Sequence, residues 1–200
     1  MNPTTIKPAV FEIGGVARMK LTIPADQAHL AIINGMTGDP SGRGNSPIIS
    51  HQDGDNMIIQ GYRHNAFVNQ GLQQILDSAY GELDNTGKRI THIALSGDSS
   101  TVIVSTSDID PGGAGFSPKV TLNVSRTGQT VKADNTWTNS DVSFAIVKIG
   151  LLTGSNSTDV VNIIGGNGGT APYDEPFSID LTSINTWSLQ MGVDVTATAS

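Results

Sequence analysis

The stretch WSLQMGVDVT, from Trp187 to Thr196, decides the fold class of this 200-residue chain. Apolar residues occupy every second position, and small, polar or charged residues stand between them. Successive side chains of a β-strand point to opposite faces of a sheet, so such a strand buries one face and leaves the other in water. Phe177, Ile179 and Leu181 repeat the alternation. We therefore predict antiparallel β-structure at the C-terminal end.

Further strands are predicted upstream, and turn-rich segments separate them. The nearly continuous apolar run Phe144–Leu152 predicts a central strand, and shorter strands are predicted at Met57–Arg63 and Ala28–Asn34. The segment 35–47 contains four glycines and two prolines and is therefore predicted to be a loop. Several short strands at such spacing predict a mainly β fold, specifically an antiparallel β-sandwich.

One segment has helical rather than strand periodicity. Its apolar positions fall on one face of a helix over about residues 65–80, at Val68, Leu72, Ile75, Leu76 and Ala79. We predict one amphipathic α-helix here, lying on the sheet. Residues 1–64 are predicted to form an extended N-terminal arm with short strands and the Gly/Pro-rich loop, and residues 65–200 the β-sandwich domain. Within the arm, Ala28–Pro47 is expected to contact a neighbouring subunit.

Charge and composition exclude several functional classes. Eleven Lys and Arg against 18 Asp and Glu give a net charge of −7, which disfavours binding to a phosphate backbone or an anionic membrane. No cysteine is available for disulfides or thiolate metal sites. No stretch reaches the roughly 18 apolar residues of a membrane helix. The N-terminus lacks a continuous apolar run, so no secretory signal is expected.

The triplet Gly97-Asp98-Ser99 resembles the nucleophile motif of one family of serine hydrolases. A hydrolase would use Ser99 or Ser100 with a histidine base. That family carries its Asp and His late in the chain, whereas here all four histidines precede Gly97. The simpler interpretation makes His92 a strand residue and Gly97-Asp98 a turn, and no catalytic residues are predicted. An unchanged His92→Ala variant would argue against the hydrolase.

No motif predicts a metal or cofactor site. The acidic clusters lack the spacing of a calcium-binding loop; they consist of His51, Asp53 and Asp55, and of Asp108 and Asp110. The segment Gly81–Arg89 has five residues between its glycines instead of the four of a phosphate-binding loop. The GGNGG segment at 165–169 reads as a hairpin loop. We therefore predict no metal, no cofactor and no nucleic-acid partner.

Two aromatic residues, Trp187 and Phe144, are predicted to lie in the core. An alternative hypothesis concerns Trp137, which stands beside a polar turn and could be a surface anchor for a glycan, although alone it cannot define a carbohydrate platform. The loops at 110–116 and 165–173 would then share recognition with it. This alternative makes the protein a receptor-binding or glycan-binding module.

Four segments together resemble small virion proteins of tailed bacteriophages. They are VNQGLQQILDSAYG, RITHIALSGDSS, KIGLL and EPFSIDLTSINTWSLQMGVDVTAT, within residues 65–198. In tail-collar and tail-fibre-like proteins, a helix beginning TNxG precedes an ITHIAIG strand, an E(V/I)GLF strand follows, and an alternating strand ends the chain. Lys148 stands where that family has Glu.

The resemblance implies a structural protein of the virion, not an enzyme. It would be a tail, collar or fibre-attachment component, assembled in the host cytoplasm as a symmetric homo-oligomer with other virion proteins. A capsid decoration protein that stabilises the head is the alternative within the same setting. Deletion of residues 1–50 is expected to leave a folded core that no longer enters particles.

Overall fold

The computed structural model describes residues 11–67, 91–99, 115–120, 122–128, 130–155, 160–164 and 177–199. These residues form antiparallel β-strands and one short 3₁₀ helix, Ala25–Leu30. The strands are β1 (Phe11–Pro24), β2 (Ile32–Asn34), β3 (Ile49–Asp53), β4 (Asn56–Phe67), β5 (His92–Ser96), β6 (Phe116–Val120), β7 (Leu122–Thr127), β8 (Thr130–Thr138), β9 (Lys148–Leu152), β10 (Val160–Ile164), β11 (Ser178–Asp180) and β12 (Ser188–Ala199). The prediction of a mainly β, antiparallel fold is confirmed.

Ten of the described strands form one sheet, in which nine follow the order β6-β5-β9-β10-β4-β1-β12-β8-β7 and β3 also pairs with β4. The long strand β1 lies between β12 and β4. It pairs with β12 from Phe11–Ala199 to Thr22–Ser188, and with β4 from Gly15–Asn65 to Pro24–Asn56. Strands β2 and β11 form a separate two-stranded sheet.

The two ends of the strand order meet along one stretch of chain. Strands β6 and β7 are separated only by residue 121, yet β6 pairs with β5 and β7 pairs with β8. Side chains of β8 and β6 also connect these two strands directly. The Trp137 indole N–H donates to the Ser117 carbonyl at 3.3 Å, and Lys119 Nζ donates to the Thr136 carbonyl at 2.8 Å. The first and last strands are therefore neighbours in space.

Side chains from both halves of the strand order share one hydrophobic core. The predicted alternation in β12 is confirmed, because Leu189, Met191 and Val193 are buried while Gln190 and Asp194 are half-buried. The core also contains Ala17, Met19, Leu21 and Ile23 of β1, Trp137 of β8, Ile93 and Leu95 of β5, Ile149 and Leu151 of β9, and Phe177, Ile179 and Leu181 around β11. Each large apolar side chain contributes roughly 1.5–3 kcal/mol when fully buried.

The extended arm predicted over residues 1–64 finds no support in the described residues. Strand β1 and most of β4 belong to this segment, and both are interior strands of the sheet. The domain boundary drawn after residue 64 falls inside β4. The physical reason is that β1 gains its stability from two partners that are distant in sequence, β4 and β12, which no local pattern reveals.

The other element predictions have mixed outcomes. The strand at Met57–Arg63 lies within β4 and is confirmed. The strand predicted over Ala28–Asn34 is wrong in its first half, because a 3₁₀ helix runs to Leu30 and β2 begins at Ile32. The run from Phe144 contributes only its last five residues to a strand, β9, which lies between β5 and β10 as expected for a central strand. Of the predicted helix at 65–80, residues 65–67 belong to β4 and the rest lies outside the described residues.

Candidate functional site

The Asp98 carboxylate of the hydrolase-like triplet is bound to a buried lysine. Lys148 Nζ donates to Asp98 Oδ2 at 2.8 Å, and the Lys148 side chain is fully buried while that of Asp98 is 21% exposed. The pairing follows from register, because Ser96 of β5 lies opposite Lys148 of β9. The Asp98 backbone N–H donates to the buried Ser96 Oγ at 3.0 Å. Asp98 therefore compensates a buried charge.

His92 lies at the other end of β5, as the strand interpretation predicted. Its Nδ1 lies 2.8 Å from Thr91 Oγ1, which itself donates to the Thr153 carbonyl at 2.9 Å. A strand rises about 3.3 Å per residue, so β5 alone separates His92 from Ser96 by about 13 Å. Ser99 lies beyond that end, and residue 100 is outside the described residues. Within the described chain, His92 and Ser99 are not brought together.

The acidic clusters do not form a metal site in the described part of the chain. His51 and Asp53 lie on β3 and Asp55 lies in the turn that follows, and all three side chains are exposed. Within the described ranges, no three His, Cys, Asp or Glu side chains come close enough to hold a metal ion. Asp108 and Asp110, residues 81–89 and the loop 165–173 lie outside the described residues, as does all of 110–116 except Gly115 and Phe116.

The interpretation of Trp137 as a surface anchor is wrong. Its side chain has no exposed area, and it lies at the junction between β8 and β6. The Lys119 ammonium lies 5.7 Å from the centre of the ring and also forms an ion pair with Asp141 at 2.9 Å. Alternation along β8 places Ala133, Asn135 and Trp137 on the buried face. That alternation was the sequence signal that could have identified Trp137 as a core residue.

The Gly/Pro-rich loop, residues 35–47, packs on the edge of β4 in the same chain. Thr37 and Tyr62 exchange two backbone hydrogen bonds, of 2.9 and 2.8 Å, and the His64 N–H donates to the Gly42 carbonyl at 3.0 Å. This part of β4 lies between the positions that pair with β3 and those that pair with β10. The loop therefore covers a section of edge that would otherwise be open.

Two titratable groups help to hold this loop. Arg43 Nη2 lies 2.6 Å from His64 Nε2, and burial together with the Arg43 charge lowers the pKa of His64. The Asp39 carboxylate accepts the backbone N–H of Ser41 at 2.9 Å, and hydrogen bonds from Ser41 lower the pKa of Asp39. The lowered pKa values favour a neutral imidazole at His64 and an ionised carboxylate at Asp39 near neutral pH.

Strand β3 is an exposed edge strand. All five of its residues, Ile49–Asp53, are exposed, and in the described chain it pairs with β4 alone. Asp53 and Asn56 flank the two-residue turn Gly54-Asp55, so they form a hydrogen-bonded pair, and such pairs alternate along a hairpin. The backbone groups of Ser50 and Gln52 therefore point away from β4.

A shallow polar groove, here called the outer groove, crosses the solvent face of β4, β1 and β12. It has a volume of about 140 Å³ and is lined chiefly by Arg18, Lys20, Gln60, Tyr62, Gln190 and Gly192. Strand register arranges these residues in two rows across the strands, Tyr62–Arg18–Gly192 and Gln60–Lys20–Gln190. None of these residues was singled out from the sequence, because only the pairing of β1 with two distant strands brings them together.

Gly192 and Asp194 set the position of the Arg18 guanidinium in the outer groove. Arg18 Nε donates to Asp194 Oδ1 at 2.6 Å. A Cβ atom at Gly192 would lie only 2.9 Å from Arg18 Nη2, so the absence of a side chain leaves room for the guanidinium. Gln190 Nε2 donates to Asp134 Oδ2 at 3.2 Å, which orients that amide.

Comparison with known proteins adds no relative. No family model matches the chain, and neither the curated proteins nor the solved structures include a match to it. Among the described residues, no helix has the length and apolar character needed to cross a membrane.

Proposed function

We propose that this chain is a structural component of a bacteriophage particle, in the tail, collar or fibre-attachment region, and not an enzyme. It would assemble in the host cytoplasm with copies of itself and other virion proteins. The sequence segments that resemble tail-collar and tail-fibre-like proteins support this proposal. The roles of Asp98 and His92 in the described structure agree with it, because each is engaged in contacts within the fold.

We infer that the sheet folds into the two layers of a β-sandwich. One layer would contain β7, β8, β12, β1 and part of β4, and the other would contain the end of β4 with β10, β9, β5 and β6. The shared core supports this arrangement, because it joins β1, β12 and β8 with β5 and β9. A stiff sandwich with short edges is well suited to repeated packing in a symmetric assembly.

The exposed edge of β3 is the observation that carries the assembly proposal. Outward N–H and C=O groups of Ser50 and Gln52 can pair with a strand of a neighbouring subunit and extend the sheet between copies. The side chains of β3 include only one charged residue, Asp53, at its end. The edge therefore lacks the central charge that commonly prevents strand addition.

A proline on this edge tests the assembly. Ser50→Pro removes an N–H that points away from β4, so it blocks strand addition while it keeps the β3–β4 ladder. We expect the wild-type chain to be oligomeric by light scattering, Ser50→Pro to be monomeric, and the matched Ser50→Ala variant to remain oligomeric. A monomeric wild-type chain, or an oligomer that survives Ser50→Pro, would contradict assembly through β3.

The particle location needs a separate experiment. Electron microscopy of purified particles, labelled with a gold-conjugated antibody to this protein, should place the label at the tail or collar. Label on the head would favour the capsid decoration alternative. Absence of the protein from purified particles would overturn the virion proposal altogether.

A further inference from the structure

We propose that the outer groove is a binding site for an acidic saccharide, that is, a sugar that carries a carboxylate. The site lies on a sheet face and is built chiefly from side chains outside the hydrophobic core; Met19, which also lines it, belongs to the core. It requires neither Trp137 nor the loops 110–116 and 165–173, and it does not depend on a virion location.

Lys20 supplies the charge that would bind the carboxylate. It occupies the middle of its row, between Gln60 and Gln190, and its side chain is exposed. Its ammonium group forms no hydrogen bond or ion pair with any residue that the structure describes, and only its backbone is engaged, in the ladders with β4 and β12. Arg18 lies two residues away on the same face and is fixed by Asp194. An incoming carboxylate would therefore meet one available ammonium beside a preorganised guanidinium.

The neighbouring groups match the rest of a sugar. Amide groups of Gln60 and Gln190 can donate to and accept from hydroxyl groups, and Tyr62 offers both a ring face and a phenolic hydroxyl. The outer groove thus combines one aromatic residue, Tyr62, with several polar groups, and it is smaller and more polar than most small-ligand pockets. Strand spacing of about 4.8 Å makes the three-strand groove about 10 Å across, which suits a short saccharide rather than a protein surface.

Charge selects an acidic ligand of limited size. The chain as a whole carries a net charge of −7, so a long polyanion such as nucleic acid would be repelled. The outer groove itself is lined by two cations, Arg18 and Lys20. Two carboxylates lie beside it: Asp194 is engaged with Arg18 and Lys132, and Asp134 accepts a hydrogen bond from Gln190. A shallow site of this kind binds weakly as a single copy, and avidity across a symmetric oligomer would strengthen it.

Isothermal titration calorimetry with two acidic probes tests the site. The probes are 3′-sialyllactose and trigalacturonate, and lactose and maltotriose are their neutral comparators. We expect both acidic probes to bind with a Kd of about 1 mM and the neutral sugars to bind at least about tenfold more weakly. Added salt should weaken the binding, because the key contact is an exposed ion pair.

Two matched lysine variants locate the binding. Lys20→Gln should weaken the acidic probes at least about tenfold, whereas Lys119→Gln, which removes the same charge from β6 outside the outer groove, should change affinity less than about twofold. Tyr62→Leu should weaken acidic and neutral sugars alike. The proposal is overturned if neither acidic probe binds at about 10 mM, if neutral sugars bind equally well, or if the two lysine variants behave the same.

Discussion

At the scale of single residues, the pair of Lys148 and Asp98 shows how a sequence feature changes its meaning once a partner is known. A lysine is rarely buried completely unless its charge is compensated. Strand register brings the start of β9 against the end of β5, and the turn beyond β5 supplies the carboxylate. The sequence alone marked Asp98 as a turn residue, because its partner lies 50 positions away.

Removing Asp98 should therefore destabilise the fold strongly. Asp98→Ala removes the carboxylate that pairs with the buried Lys148 ammonium. We therefore expect the free energy of unfolding to fall by about 3 kcal/mol. Urea denaturation measures this loss. The double variant Asp98→Ala/Lys148→Met should recover most of it, since methionine fills a similar volume without charge. If Asp98→Ala were as stable as the control variant Ser99→Ala, at an exposed position, Asp98 would not compensate the charge of Lys148.

His64 should make stability depend on pH. Its pKa is lowered from 6.5 in the folded state, so the unfolded chain binds more protons between the folded-state pKa and 6.5. The contribution of His64 is therefore complete above about pH 6.5 and is lost as the pH falls through the folded-state pKa. His64→Gln should remove this part of the decline in unfolding free energy, and Arg43→Gln should reduce it. Identical pH profiles for all three proteins would exclude the effect.

At the scale of elements, β12 could be predicted and β1 could not. The alternation in β12 has large apolar residues at each inward position, whereas β1 places Ala17 and Met19 among glycines and charged residues. Its strand state depends on the ladders with β4 and β12, which are long-range interactions. The Gly/Pro-rich loop was identified as a loop from its breakers, but its docking on β4 depends on the same unpredicted register.

Two glycines with similar positive φ angles distinguish the loss of loop docking from backbone strain alone. Gly42 has a φ of +71°, and a Cβ atom there would lie 2.2 Å from the backbone nitrogen of His64. Gly54 has a φ of +58°, and a Cβ atom there would meet no atom within 4 Å. Gly54→Ala should cost about 1 kcal/mol, and Gly42→Ala about 3 kcal/mol because the loop must also leave β4. Thermal unfolding measures the difference, and faster amide exchange at His64 in Gly42→Ala would report undocking. Equal losses would mean that docking contributes nothing.

At the scale of the whole molecule, the interior position of β1 changes the expected effect of truncation. The sequence predicts that deletion of residues 1–50 leaves a folded core. In the structure, however, this deletion removes a strand that lies between β4 and β12 and supplies four buried side chains, Ala17, Met19, Leu21 and Ile23. We now expect this deletion to abolish folding, as seen by loss of the cooperative transition in circular dichroism. Deletion of residues 1–10 should leave β1 intact and preserve the transition. A cooperative transition in the longer deletion would show that β1 is dispensable.

The pairing of β1 with β12 also determines which strand ends lie at each end of the sheet. Phe11 lies opposite Ala199, so the first residue of β1 and the last residue of β12 lie side by side, at one pole of the sheet. The β3–β4 turn lies near the other end of β1, where Pro24 pairs with Asn56. Attachment at the pole of Phe11 and Ala199 would therefore present the β3–β4 turn outward. Tension applied between Phe11 and Ala199 would open the β1–β12 ladder one pair at a time from that end, rather than shear all its hydrogen bonds together.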